Sequence, residues 1–172
     1  MSHDINKIVD SVVKEIMETQ SVKKQPVTTS FAKQTKMTLK AAKELICEVE
    51  KKAAEMGVKA VVAVSDAGGN IIAVECMDDA FIASYDIAVN KAFTVVSLKM
   101  STAKLAELAA PGGSLYGVQF TNNGRIVIFG GGEPLCSGDA VIGGLGVSGG
   151  TAEQDTLLGE YGKQYFENKI LR

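Results

Sequence analysis

The first twenty residues carry apolar side chains at the spacing of one helical stripe. The stripe positions are separated alternately by three residues and one; they are Ile5, Ile8, Val9, Val12, Val13 and Ile16. Polar and charged residues fill the positions between them, as in an amphipathic α-helix. A polar stretch containing Pro26 follows, and proline cannot continue a helix. The pattern predicts a detached helix over 1–19, a flexible linker over 20–35 and a domain over 36–172.

Beyond residue 36 the apolar periodicity alternates between helices and hairpin strands. The predicted helices cover 39–56, 81–98, 102–108 and a final segment from Thr151 to about 168, and the predicted strands cover 60–64, 71–76, 125–129 and 140–147. Residues 130–134 are predicted to be a glycine-rich loop. Strands that come in groups, not in alternation with helices, indicate an α+β fold with an antiparallel sheet and helices on its faces.

Composition narrows the class of protein. The chain has a net charge of −2, which argues against general binding to nucleic acid or to an anionic membrane. Three scattered cysteines do not resemble a disulfide framework, and the start lacks the pattern of a secretion signal. No apolar run is long enough to span a bilayer. We therefore expect a cytoplasmic protein.

A glycine pattern near the end of the chain matches the dinucleotide-binding fingerprint. Residues 144–149 read GLGVSG, after a predicted strand and before a predicted helix. A dinucleotide fold needs a second parallel strand after that helix, and the remaining 23 residues form only the helix. The glycines instead predict a tight bend and close packing, and anion binding at the helix start is the alternative.

The candidate ligand residues lie on the apolar helix over 81–98 and in the glycine loops. Charged groups on such a helix are costly to bury unless paired, so they predict either a polar pocket or an ion pair. The candidates are Asp86, Asn90, Lys91, Gly131, Gly132, Glu133, Gly149 and Gly150. The one histidine, His3, precedes the domain, which excludes a histidine-based triad or multi-histidine metal site within it. No catalytic residue and no metal ligand is predicted.

Five segments in order resemble one family. They are VVAVSDAGG at 61–69, MDDA at 77–80, SYDIAVNKA at 84–92, GGEPL at 131–135 and IGGLGVSGG at 142–150. This order resembles the GlcG/HbpS-like family, which includes the C-terminal domain of the propanediol-utilisation corrinoid adenosyltransferase. The resemblance implies a profilin-like or roadblock-like antiparallel sheet of about five strands flanked by helices. It also implies homo-oligomers, which are octamers in some members.

The resemblance further implies an association with haem and with bacterial microcompartments. Some members bind haem, but that binding is attributed in the adenosyltransferase domain to histidine, which this domain lacks. Haem or corrinoid is therefore an alternative to an unidentified cofactor. The helix over 1–19 resembles the encapsulation peptides of microcompartment cargo, so shell or cargo proteins are its expected partners and the microcompartment lumen its expected location. Packing on its own domain or on a sister subunit is the alternative.

Four functions follow from these observations. The first is a non-catalytic accessory protein that binds a small ligand or cofactor at a subunit interface, and the second is a haem- or corrinoid-binding protein. The third is an enzyme on a small carbonyl or carboxylate compound, with Lys91 and Asp86 as acid/base groups. The fourth is a purely structural oligomer that organises other cargo.

Overall fold

The computed structural model describes residues 36–171. The predicted amphipathic helix with its apolar stripe, the linker and residue 172 lie outside the described residues. The chain divides into two units, Met1–Lys33 and Gln34–Arg172, and the second contains everything described below.

The helices and strands of the domain are, in chain order, α1 Leu39–Glu55, β1 Val61–Asp66, β2 Ile71–Cys76, α2 Ile82–Leu98, α3 Thr102–Ala109, β3 Gly132–Ser137, β4 Ala140–Ser148 and α4 Ala152–Tyr165. A π-helical segment, Phe166–Ile170, follows α4. All four predicted helices and the β1–β2 hairpin are confirmed, and side-chain caps at Thr38, Ser101 and Thr151 begin α1, α3 and α4.

The strands form one antiparallel sheet in the order β2-β1-β4-β3. Because alternate residues of a strand face opposite sides, β1 divides its apolar residues between two layers. Val62 and Val64 pack in the core that includes residues of α1 and α4. Val61 and Ala63 pack with Ala88 and Ala92 of α2 on the other face. The sheet is thus covered by α1 and α4 on one face and by α2 on the other, which confirms the α+β prediction.

The predicted strand over 125–129 is wrong. The hydroxyl of Thr94 on α2 accepts the N–H of Val127 at 3.0 Å, and its one proton is directed to the carbonyl of Asn90 at 2.7 Å, with that of Arg125 farther away at 3.3 Å. This apolar segment therefore bonds to a helix side chain where a strand partner was expected. The adjacent strand β3 begins at Gly132, inside the predicted loop, and the described sheet has four strands where about five were expected.

Glycines in β4 set the distance between α2 and the sheet. A Cβ on Gly146 would lie 2.0 Å from the carbonyl oxygen of Ala88, and one on Gly144 would lie 2.3 Å from that of Ala92. Only a residue without a side chain allows this approach. The fingerprint-like glycines begin within a central strand, so close packing is confirmed and no dinucleotide loop is formed.

Among residues 36–171, no helix combines the length and apolar character needed to cross a membrane.

Candidate functional site

A buried ion pair lies between α2 and the start of α4. Lys91 has no exposed surface, and its Nζ donates to Asp155 Oδ2 at 2.9 Å and to the carbonyl oxygen of Val147 at 2.7 Å. The ring of Phe129 lies 4.9 Å from the same nitrogen. A carboxylate, a carbonyl and an aromatic face thus surround the ammonium, which is what a buried charge requires.

Glycines and a helix cap hold Asp155 in place. Its Oδ1 accepts the N–H of Gly150 at 2.9 Å, while Thr151 and Gln154 form a capping box at the start of α4. Gly131 passes so close that a Cβ there would lie 2.8 Å from Lys91 Nζ. The structure therefore brings together three predicted site residues, Lys91, Gly131 and Gly150, around Asp155, which the sequence analysis did not single out.

The ion pair does not join Lys91 to Asp86. Asp86 is exposed, whereas Lys91 is completely buried and pairs with Asp155. Burial lowers the pKa of Lys91, and the carboxylate of Asp155 opposes that shift. The acid/base hypothesis requires both Lys91 and Asp86 at one accessible site, whereas here Lys91 is buried and paired with Asp155.

Glu133 and Gly132 belong to a separate contact of β3. The carboxylate of Glu133 is buried and accepts from Lys163 on α4 at 3.3 Å, and burial raises its pKa. The N–H of Gly132 donates to the hydroxyl of Thr102 at 2.8 Å. Both interactions attach β3 to neighbouring helices, so the structure gives these two candidates a packing role.

Gly149 and Gly150 line a shallow cavity of about 200 Å³ with Lys59, Asp79 and Phe81. Side chains already accept three N–H groups beside it: Asp155 accepts that of Gly150 and Gln154 that of Thr151, each at 2.9 Å, and the hydroxyl of Thr151 accepts that of Gln154 at 3.2 Å. The chain's own side chains thus occupy three of the donors near the start of α4 that an anion would use.

The outward side of α2 offers a different surface. Ile82 is 96% exposed and Tyr85 is 46% exposed. Further along the helix, the guanidinium of Arg125 stacks 3.7 Å from the ring centre of Phe93, and its Nε donates to Asn90 Oδ1 at 3.4 Å. An open apolar surface, a phenol and a cation therefore occur along one helix.

Arg125 was missed in the sequence because it lies in a segment that was predicted to be a strand. Its side chain contacts Asn90 of α2, which is 35 residues away in the sequence, and a local hydrophobic period cannot predict such a contact. The one available signal was an arginine beside two asparagines and a glycine, at residues 122–125.

A further groove of the described domain lies away from these residues. It has a volume of about 430 Å³ and is lined by the start of α1, the β1–β2 turn and β4, and none of the predicted ligand residues lines it. Within residues 36–171, no group of three histidine, cysteine or acidic side chains is arranged to hold a metal ion.

Comparisons with known proteins place these features in a family. Residues 37–163 match the sequence model of a family described as haem degrading protein HbpS-like. An uncharacterized 15.0 kDa protein from the dhaT-dhaS intergenic region of Citrobacter freundii is 52% identical over 124 residues, which are 72% of this chain and 87% of that protein. The corrinoid adenosyltransferase PduO of Salmonella typhimurium is 40% identical over 104 residues, which are 60% of this chain and 31% of PduO.

Two solved structures share the fold. The Klebsiella pneumoniae protein ORFY superposes with a TM-score of 0.75 at 46% identity, over 80% of this chain and 95% of that one. A structure of a PduOC:heme complex superposes with a TM-score of 0.73 at 33% identity, over 76% of this chain and 94% of that one.

Proposed function

This chain belongs to the HbpS-like family, and from that premise we propose that it is a non-catalytic accessory protein that binds a haem-type tetrapyrrole. The similarity to the PduOC:heme complex, at 33% identity over 94% of that chain, is the observation that carries the proposal. The complete burial of Lys91 supports the non-catalytic part, because its amine does not reach solvent.

The side chains of the domain fit haem without histidine. The one histidine of the chain, His3, precedes the described residues. Tyrosine is also a known axial ligand of haem iron, and Tyr85 and Tyr116 carry the exposed phenols, 46% and 67% exposed. When bound, haem supplies an iron centre that accepts such an oxygen ligand and carboxylates that an arginine can bind.

The outward side of α2 is the surface that fits best. Tyr85 and Phe93 are eight residues apart on the helix, which corresponds to about 12 Å along its axis. Half-buried Val89 lies between them, and Arg125 stacks on Phe93. A flat apolar ligand can lie against Val89 with an iron near Tyr85 and a carboxylate at Arg125, since arginine binds carboxylates in a bidentate manner.

Haemin titration of the full chain tests the proposal. We expect a Soret band that saturates with added haemin. Tyr85→Phe should change the position of the band, because it removes the proposed iron ligand. Arg125→Gln should lower the affinity for haemin about tenfold or more, because it removes a charged hydrogen bond. Tyr116→Phe is the matched control and should leave both unchanged. Failure of the unaltered chain to take up haemin would overturn the proposal. If Tyr116→Phe changed the Soret band as much as Tyr85→Phe, the α2 surface would be excluded as the haem site.

We also propose that residues 1–19 bind a microcompartment shell or cargo protein and bring the chain into the lumen. The support is the apolar stripe of the sequence and the relationship to a protein of the dhaT-dhaS region and to PduO. Residues 1–20 fused to a fluorescent protein should give puncta in cells that make microcompartments. Ile8→Asp or Val12→Asp should abolish the puncta, and diffuse fluorescence of the unaltered fusion would contradict the targeting role.

We also propose that the chain forms a homo-oligomer. Large apolar side chains stand exposed at the start of α2, where Phe81 is 72% and Ile82 is 96% exposed. Such residues side by side are typical of an interaction surface. Native mass spectrometry of the full chain gives the number of copies, and a monomer at all concentrations would contradict this element.

A further inference from the structure

The two edges of the sheet are covered to different degrees. The edge strand β3 is buried from Gly132 to Leu135, where it packs against α3 and α4. The opposite edge strand β2 is exposed at both ends and only half-buried between them. Within the described part of the chain, β2 pairs with β1 alone. One edge of the sheet is therefore open.

The open edge presents backbone groups for pairing. The N–H of Met77 donates to the carbonyl of Ala60 beside β1, so strict alternation directs the N–H groups of Val74 and Cys76 away from β1. The register shift opposite Ser65 disturbs only the start of β2, and 73–76 pair regularly. This half of β2 has neither the lysine nor the proline by which proteins commonly block an edge.

An apolar stripe of α2 runs along the same edge. Ile82, Tyr85 and Val89 are spaced as i, i+3 and i+7, and Val89 packs against the same core cluster as Val74 of β2. Further along α2, the ring of Phe93 lies 3.0 Å from the Cβ position of Gly69 in the β1–β2 turn. The stripe and the free strand edge thus form one continuous surface.

We propose that β2 pairs antiparallel with β2 of a second copy about a two-fold axis at Val74. The two sheets then form one sheet of eight strands, with both α2 stripes on the same face and side by side, so that the haem-type ligand of the proposed function lies between them. This inference rests on the homo-oligomer element of the proposed function and names its contact.

Charge and area favour a second copy as the occupant. Glu75 is the one charged residue of β2, and an axis at Val74 places it opposite Ala73 of the other copy, whereas an axis at Glu75 would oppose two carboxylates. A stable interface needs about 800 Å² from each partner. The exposed parts of Ile71, Ile82 and Tyr85 supply on the order of 300 Å² of this, taking about 150–200 Å² for each large apolar side chain. The strand backbone and its remaining side chains add to that area.

Native mass spectrometry of the full chain with edge variants tests the pairing. Val74→Pro removes an outward N–H while leaving the bonds to β1, so the assembly should fall to half its mass. Val74→Thr is the matched control and should keep the full mass. Ile82→Asp, at a side chain that is 96% exposed, should also dissociate the assembly without unfolding the domain.

Hydrogen exchange supplies a readout that does not depend on substitution. The amides of Val74 and Cys76 should exchange at least tenfold more slowly at high protein concentration than at concentrations where the chain is monomeric. Rapid exchange of both amides in the assembled protein, or an unchanged mass in Val74→Pro and Ile82→Asp, would overturn the pairing. Haemin uptake is measured separately. If assembly is lost in Val74→Pro but the unaltered assembly takes up no haemin, the pairing is supported and the ligand proposal is contradicted.

Discussion

The half of the sheet formed by β3 and β4, here called the closed half, is covered on its surface, whereas the open half, formed by β1 and β2, ends in an exposed edge strand. In the closed half, β3 and β4 are covered by α2 and α4, and even a lysine and a carboxylate are buried there as the pair of Lys91 and Asp155. In the open half, β2 and the start of α2 leave Ile82 and Tyr85 exposed. The difference indicates that the polar groups of the closed half are paired within the domain, whereas apolar groups of the open half are available for partners.

The largest effect is expected from breaking the buried ion pair. Lys91→Met should lower the free energy of unfolding by about 3–5 kcal/mol, because it leaves the carboxylate of Asp155 buried without its partner. Denaturant unfolding followed by circular dichroism measures this loss. The double variant Lys91→Met, Asp155→Leu should recover most of it. A single variant that unfolds like the unaltered chain would show that this half tolerates an unpaired charge.

A smaller loss is expected from separating α2 and β4. Gly146→Ala places a methyl group 2.0 Å from the carbonyl oxygen of Ala88, so helix and strand must move apart. Overpacking of this kind costs about 1–3 kcal/mol and should lower the midpoint of thermal unfolding. Ala140→Ser, at an exposed position of the same strand, is the control. Equal stability of the two variants would contradict the tight contact.

The pH dependence of stability tests the burial of Glu133. Burial raises the folded-state pKa of Glu133 above its ordinary value of 4.5, so ionisation costs more in the folded chain than in the unfolded chain. This carboxyl therefore makes the unaltered protein less stable as pH rises from 4.5 through the raised pKa.

Glu133→Gln does not titrate and should gain stability relative to the unaltered chain across that window, by about 1.4 kcal/mol for each unit of pKa shift. Chemical unfolding at a series of pH values gives the difference. Glu55→Gln, at an exposed site on α1, is the matched control. A constant offset between Glu133→Gln and the unaltered chain would indicate that Glu133 is solvated.

The smallest effect on folding is expected in the open half. Ile82→Ser should change the free energy of unfolding of the monomer by less than about 0.5 kcal/mol, because the side chain is 96% exposed. Equilibrium unfolding at low protein concentration measures this. A loss above about 1 kcal/mol would show that Ile82 packs within its own domain, and the contrast between the two halves would fail.

Local patterns in the sequence determined the helices, the β1–β2 hairpin and the α+β class. Helix caps, the 3.6-residue period and turn glycines all act within a few residues, so they can be recognised in the chain itself. The helix caps at Thr38, Ser101 and Thr151 are examples, since each accepts an N–H three residues ahead. The family resemblance extended this to the whole domain.

Only the tertiary structure decided the partners of the candidate residues. Lys91 pairs with Asp155 across 64 residues and Arg125 contacts Asn90 across 35, so neither pair has a local signature. The segment at 125–129 has the composition of a strand, but the N–H of Val127 within it donates to the hydroxyl of Thr94 on a helix. Composition identifies residues that need burial or a hydrogen bond, while the packing of distant elements determines which neighbour meets that need.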